Sequence, residues 1–288
     1  MAKATEVAKI ANEAWMSGDF ETAFSGFKEA LGVAEACGDE GLTLVAQCKD
    51  ALPKIVNGAA NELLKAGKYD EAIAKFNEVI EVAADYGNDD LVVKAADKIP
   101  QIMMQKAGAL LNAKDYAGAA AAYKDVVAAD PTNGMAALRM GQALNGAGDL
   151  EGAKEAFKTA SANGQEKNAS KQLGNIALKQ AASALKAKSF ADAVNFAVES
   201  NGYAANPQAI QIAAQASQLQ GKNDEAIKYF EQYLEMAPTA KNAGQIAFTL
   251  GALYQQAKNN AKAKEFYSKA VTDPKYGAEA QKYLSTLK

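Results

Sequence analysis

The residue types that most often carry chemistry are thin in this 288-residue chain. Histidine is absent, which removes imidazole-activated nucleophiles and every histidine metal site together. Two cysteines, Cys37 and Cys48, form no metal or redox motif and no disulfide framework, so both are expected free. Cys37 should fall at a helix end and Cys48 inside the next helix. Gly67-Lys68 and Gly221-Lys222 lack the upstream glycine of a phosphate-binding loop, and no dinucleotide-binding glycine fingerprint occurs. Gly87-Asn88-Asp89-Asp90 does not have calcium-loop spacing and reads as a turn with a helix N-cap. The carboxylate pairs Asp70/Glu71 and Asp224/Glu225 have the composition of an acid–base couple. Their position in the first turn of helices, where the macrodipole favours negative charge, gives them a structural role instead. No catalytic, cofactor-binding or metal-ligating residue is assigned, no cofactor is expected, and an enzyme is not.

Charge narrows the partner class. The net charge is −3, and of the 31 basic residues only Arg139 is arginine. Nucleic-acid binders show a basic excess and clustered arginine, so nucleic acid is not expected as a partner. The charge is uneven: residues 1–150 carry 14 bases against 22 acids, whereas residues 151–288 carry 17 bases against 12 acids. This asymmetry reads either as drift of solvated faces or as the basis of a bipolar partner contact or a weak, salt-sensitive head-to-tail self-association. No apolar run reaches transmembrane length, so membrane insertion is not expected. Met1-Ala2-Lys3-Ala4-Thr5-Glu6 lacks an apolar signal region. The compartment stays open: cytoplasmic as the chain stands, periplasmic or secreted if a signal has been removed.

The elements that position everything else are repeats. In Gly67-Lys68-Tyr69-Asp70-Glu71-Ala72-Ile73-Ala74-Lys75-Phe76, Tyr69, Ala72, Ile73 and Phe76 share one helical face at i, i+3, i+4 and i+7. Ala60, Leu63 and Leu64 mark the inner face of a preceding helix. The unit is helix, tight turn, helix. Six looser copies begin at Gly18, Lys114, Gly148, Lys188, Gly221 and Lys258. Every turn is followed at one offset by alanine: Ala23, Ala72, Ala119, Ala153, Ala193, Ala226 and Ala263. An aromatic follows four residues later in all copies except the fifth, where Ala197 stands and Phe196 comes one place early. Seven residues before each turn is a second small residue: Ala11, Ala60, Ala107, Gly141, Ala181, Ala214 and Gly251. Small side chains at both positions let paired helices approach at the short end of the interaxial range, about 8–10 Å. Self-similarity of this kind marks a solenoid.

These residues resemble the tetratricopeptide (TPR) repeat. The two small positions, the turn aromatic, the second aromatic and the closing prolines Pro131, Pro238 and Pro274 all fit, over nearly the whole chain. The resemblance implies an all-α fold, an α-solenoid of antiparallel helix pairs wound as a right-handed superhelix, with a C-terminal capping helix. Three N-terminal repeats are expected in residues 1–130, four shorter ones in 131–274 and the cap in 275–288, with Ala278, Tyr283 and Leu287 inward and Lys282 and Lys288 outward. Successive repeat alanines are spaced 49, 47, 34, 40, 33 and 37 residues apart, so the second and third repeats have extended first helices. Pro53 and Pro100 interrupt these, in the parallel motifs Leu52-Pro53-Lys54-Ile55 and Ile99-Pro100-Gln101-Ile102, and each is expected to kink or divide its helix.

In this family the first helix of each pair lines the concave face. The resemblance places Asn12, Trp15, Asn57, Asn61 and Leu64 there in the first two repeats. Farther along it places Met104, Leu111, Leu138, Gln142 and Asn145, then Gln211, Gln215, Gln218, Phe248 and Gln255. Amides both donate and accept, which suits the backbone of a bound peptide. Asn12 and Asn61 match the asparagine of the clamp by which some TPR modules hold a terminal carboxylate. The lysine expected four residues earlier is replaced by Ala8 and Asn57, so no clamp is assigned. The resulting expectation is a non-catalytic scaffold or adaptor that binds a protein or peptide partner in this groove. The alternative is a structural subunit of a larger assembly, such as one in the cell envelope, held through convex or end surfaces.

Overall fold

The computed structural model describes residues 1–287. Among them are fifteen α-helices and no strand. The chain divides into two compact units, Met1–Ala156 and Phe157–Lys288. In the first unit lie α1 (Ala2–Met16), α2 (Phe20–Glu35), α3 (Leu42–Lys65), α4 (Tyr69–Asp85), α5 (Asp89–Asn112), α6 (Tyr116–Ala129) and α7 (Gly134–Ala147). The helix α8 (Leu150–Ala160) carries the chain from one unit into the other. The second unit holds α9 (Glu166–Lys186), α10 (Phe190–Tyr203), α11 (Pro207–Leu219), α12 (Asn223–Met236), α13 (Ala243–Gln256), α14 (Asn260–Ala270) and α15 (Gly277–Thr286). Sequential helices pack on one another from α1 through α7 and again from α9 through α15. The architecture is an all-α solenoid of helix pairs.

The repeated small residues are the core. All seven alanines that follow the turns are fully buried, and so are Ala60, Ala107, Ala181 and Ala214 on the first helices. The aromatics Phe27, Phe76, Tyr123, Phe157, Phe230 and Tyr267 are buried too, while Ala197 fills that place in the fifth copy. Close approach is visible at Gly251, where a Cβ would lie 2.6 Å from the ring of Tyr267.

Each turn has one construction. Its first residue is left-handed: Gly18, Gly67, Gly148 and Gly221 at φ 71–89°, but Lys114, Lys188 and Lys258 at φ 60–62°. The next residue's N–H then reaches back across the turn to a carbonyl of the preceding helix. Asp19 donates to Ala14, Lys68 to Leu63 and Asp115 to Leu110, at 2.9–3.0 Å. The same bond recurs at Asp149–Leu144, Ser189–Ala184, Lys222–Ser217 and Asn259–Tyr254. This closes the last carbonyls of one helix in a Schellman-type cap. Where the residue after the left-handed position is acidic or an asparagine, it also caps the following helix. Asp19, Asp115, Asp149 and Asn259 accept from N–H groups three residues on.

Two expectations need correction. Neither Pro53 nor Pro100 divides its helix: α3 and α5 each run through 24 residues. Leu52 and Ile55 are fully buried on either side of Pro53, and Ile99 and Ile102 pack into one cluster on either side of Pro100. This burial offsets the hydrogen bond lost, a cost of about 3 kcal/mol or more. The helical path breaks instead at the π-turn Ser161–Gln165, where Asn163 is non-helical and Gly164 has φ 82°. In α15 the inward residues are Ala280, Tyr283 and Leu284, with Leu287 packed on the same cluster just past its end. Ala278 is exposed, because the helix begins at Gly277 and Ala280 takes the inner register. Lys282 is exposed as expected, and Lys288 lies outside the described residues.

The cysteines are both free, Cys48 fully buried in α3 and Cys37 just past α2. Burial raises the Cys48 thiol pKa, which keeps it protonated and unreactive.

Candidate protein-interaction face

The first helices are not screened from one another. In the first unit α1 touches α3 and α3 touches α5; in the second, α9 touches α11. Asn61 of α3 is the visible link. Its Nδ2 donates to the Asn57 carbonyl at 2.6 Å, and its Oδ1 accepts from Lys98 Nζ of α5 at 2.7 Å. The same ammonium lies 5.2 Å from the centre of the Phe76 ring, a cation–π distance. Lys98 has no carboxylate partner among the described residues.

The fifteen residues of the sequence reading divide by what already occupies them. Asn12 and Gln218 are exposed, and Asn57, Asn145, Gln211 and Gln215 are half-buried. None of these six makes a side-chain hydrogen bond among the described residues. Asn61 is engaged as above, Gln142 accepts from Arg139 at 3.0 Å, and Gln255 accepts from the Tyr267 hydroxyl at 2.9 Å. Leu64, Met104 and Leu111 are half-buried against core clusters. Leu138 is buried and belongs to the core. Trp15 meets Phe27 edge-on at 6.2 Å. Phe248 stacks on Tyr276 at 5.2 Å and tilts against Tyr267 and Tyr283. The two aromatics expected as free anchors are therefore largely committed to packing.

Two buried side-chain oxygens, Gln180 Oε1 on α9 and Ser217 Oγ on α11, have no hydrogen-bond partner among the described residues. Buried polar atoms without partners are uncommon, and these two lie on first helices that touch. Near the far end, burial and the hydrogen bond to Glu231 push the Tyr254 phenol up to about 12, and burial with the charges of Tyr283 and Glu279 does the same for Tyr267. Lys269 and Lys262 hold the Glu265 carboxyl below its ordinary range. These are neutral phenols and ion-paired carboxylates in stable settings, with no nucleophile beside them.

Clefts lie elsewhere in each unit. One, of about 810 Å³, is bounded by α2, α3 and α4 and includes Phe20, Phe24, Ala59 and Leu63. A second of about 470 Å³ lies between α1 and α2. A third of about 450 Å³ adjoins Tyr69, Lys106 and Leu110, and one of about 460 Å³ lies between Leu234, Gly244 and Asp273 in the second unit. None of the fifteen residues lines these four clefts. Among the described residues no cluster of three or more cysteines and carboxylates could hold a metal. Nor is any helix long and apolar enough to cross a membrane.

Comparison with known families settles what the repeats are. Three models, each described as a tetratricopeptide repeat, match residues 57–134, residues 110–174, and residues 207–239 with 244–272. Together they span more than half of the chain. It belongs to the tetratricopeptide repeat family. TPR domains are protein-interaction scaffolds and are in general non-catalytic, binding protein or peptide partners. No curated protein matches this TPR chain. Among solved structures it is similar to MamA, at 20% identity and a TM-score of 0.38, over 62% of this chain and 94% of that one. YrrB, described as a TPR protein with an unusual peptide-binding site, aligns at 18% identity and a TM-score of 0.35, over 64% and 91%. PilF of Pseudomonas aeruginosa aligns at 15% and 0.31, over 64% and 80%.

Sequence reasoning missed Lys98 and the α2–α3–α4 cleft. Lys98 lies nine residues before Ala107, in the added turns of α5 that the regular repeat does not have. Its signal was the second proline motif, which sets the added turns of α5 in register with those of α3. The cleft has no motif, because its floor uses the same apolar residues as the core.

Proposed function

We infer that this TPR chain is a non-catalytic adaptor that takes a peptide segment of a partner protein on the exposed face of its first helices. The single observation that carries this is the direct contact of α1 with α3 and α3 with α5, which makes their outer residues one strip. Along it, Asn12 and Asn57 have unoccupied amides, and Trp15 and Leu64 offer half-buried apolar surface. In the second unit Gln211 and Gln215 supply the same unoccupied amides on α11. Unpaired amides serve a peptide backbone, which presents donors and acceptors alternately, at about 0.5–1.5 kcal/mol net per bond. Lys98 adds one fixed cation beside Asn61.

The test uses variants that leave packing alone. Asn12→Ala with Asn57→Ala should weaken a captured partner at least about tenfold, equivalent to 1.4 kcal/mol, with helicity unchanged. Trp15→Ala is unsuitable, since it also removes the contact on Phe27. Normal affinity in the double variant would sink the reading.

A further inference from the structure

We propose that the cleft bounded by α2, α3 and α4 is a second docking surface, and that its occupant is an amphipathic helix with a basic polar face. The inference concerns the opposite side of α3 from the amide strip and does not depend on it.

Shape selects a helix. The α3 lining runs from Ile55 to Ala66, which at 1.5 Å per residue is a slot of about 16 Å, or three helical turns. The second helices α2 and α4 form its two walls. Phe20 and Phe24 on the α2 wall and Ala59 and Leu63 on the α3 floor are half-buried, and Ile55 and Val56 in the same lining are buried. A helix presenting apolar residues at i, i+3, i+4 and i+7 matches such a floor.

Charge selects the polar face. Four carboxylates (Asp19, Glu21, Glu62 and Glu78) and two lysines border the cleft. Both lysines are already held, Lys75 by Glu78 at 2.6 Å and Lys68 by Glu71 at 3.3 Å, while Glu62 holds Lys65 at 2.6 Å. Asp19 and Glu21 are left at one mouth of the cleft without a cation among the described residues. Asp19 caps α2 through the Thr22 N–H at 3.1 Å, and Glu21 has no partner among the described residues. The acidic excess of residues 1–150, 22 acids to 14 bases, extends the same sign beyond the rim. Lysines on the polar face of an incoming helix complete these carboxylates; an acidic helix is repelled.

Two synthetic helical peptides with one apolar stripe test this on the full chain, one with lysines and one with glutamates on the polar face, by fluorescence anisotropy. The lysine peptide should bind and the glutamate peptide should bind at least tenfold more weakly. Ala59→Arg, which fills the floor, and Ser25→Arg, on the exposed wall of α2, should each cost tenfold or more. If Ala59→Arg fails to fold, Ser25→Arg alone decides the matter. Glu21→Lys should weaken binding at least threefold at low salt. Glu13→Lys, an equal charge change on α1 outside the cleft, should leave it within twofold. Trp15 is the sole tryptophan and belongs to the amide strip, so its emission should not move at saturation. Four results would overturn the proposal: no binding of the lysine peptide, equal binding of the glutamate peptide, indifference to Ser25→Arg, or a shift in Trp15 emission. The last would place the peptide on the first-helix face instead.

Discussion

Three of the seven turns put a lysine where the backbone is left-handed, and replacing those lysines with glycine should stabilise the protein. Lys114, Lys188 and Lys258 sit at φ 62°, 61° and 60°, in the place that Gly18, Gly67, Gly148 and Gly221 hold in the other copies. The left-handed conformation costs an L-residue about 1–2 kcal/mol. Glycine avoids that cost but loses about 0.5–1 kcal/mol more backbone entropy on folding. The difference leaves a gain of roughly 0.5–1 kcal/mol per site. All three lysines are exposed and make no side-chain hydrogen bond or ion pair among the described residues, so no such contact is lost. They lie in separate turns with no shared partner, so the triple variant should gain about 1.5–3 kcal/mol if the sites add. Urea titration followed by helical circular dichroism reads this as a rise in midpoint, for each single variant and for the triple. Lys114→Asn should fall between lysine and glycine, since asparagine tolerates the left-handed region better than lysine. Gly67→Lys should cost about what Lys114→Gly gains. An unchanged or lowered midpoint in the glycine variants would refute the turn argument.

Further outcomes follow from packing and charge. Ala72→Leu or Ala153→Leu should lose about 1–3 kcal/mol in denaturant titration, because both alanines are fully buried and added methylenes overpack the core. Gly251→Ala should destabilise in spite of alanine's better helix propensity, since its Cβ would lie 2.6 Å from a buried tyrosine ring. Tyr254 and Tyr267 have phenols raised to about 12 from about 10 when unfolded. Their contribution is complete below pH 10 and is lost as pH rises from about 10 towards 12, because the unfolded chain ionises first. Phenolate absorbance and helicity recorded together should therefore change together there, and early ionisation of both phenols in the folded protein would contradict the burial argument. If the acidic and basic halves associate head to tail, light scattering should show mass falling as salt rises to physiological strength, where the Debye length is about 8 Å. A monomer at all salt concentrations would exclude that contact.

The fold was legible because the repeat encodes it twice over, as a small residue on each helix of a pair. Ala11 with Ala23, and Ala60 with Ala72, name both the helices and the crossing between them. The turns were legible for the same reason, down to the lysines that replace glycine. What failed to read was context-dependent. Pro53 looked like a helix breaker because local chemistry makes it one, yet the buried Leu52 and Ile55 outweigh it. Asn163-Gly164, an ordinary turn dipeptide, makes the break, because no buried residue within Ser161–Gln165 holds the helical path through it. The candidate face was legible as a list of positions but not in its occupancy. Nothing in a single sequence shows that Asn61 is taken by Lys98, from 37 residues away, or that Phe248 is enclosed by three tyrosines.

If the first-helix face is the working surface, photo-cross-linking in the native cell will show it. A photoreactive residue is placed at one exposed site at a time: Asn12 and Gln218 on first helices, Asn77 and Lys228 on second helices. The adaptor reading predicts one shared partner protein cross-linked from Asn12 or Gln218, abolished by Asn57→Ala in the first unit or Gln215→Ala in the second, and absent from Asn77 and Lys228. Cross-links to that partner from Asn77 or Lys228 alone would contradict it and make the second-helix surface the one that binds.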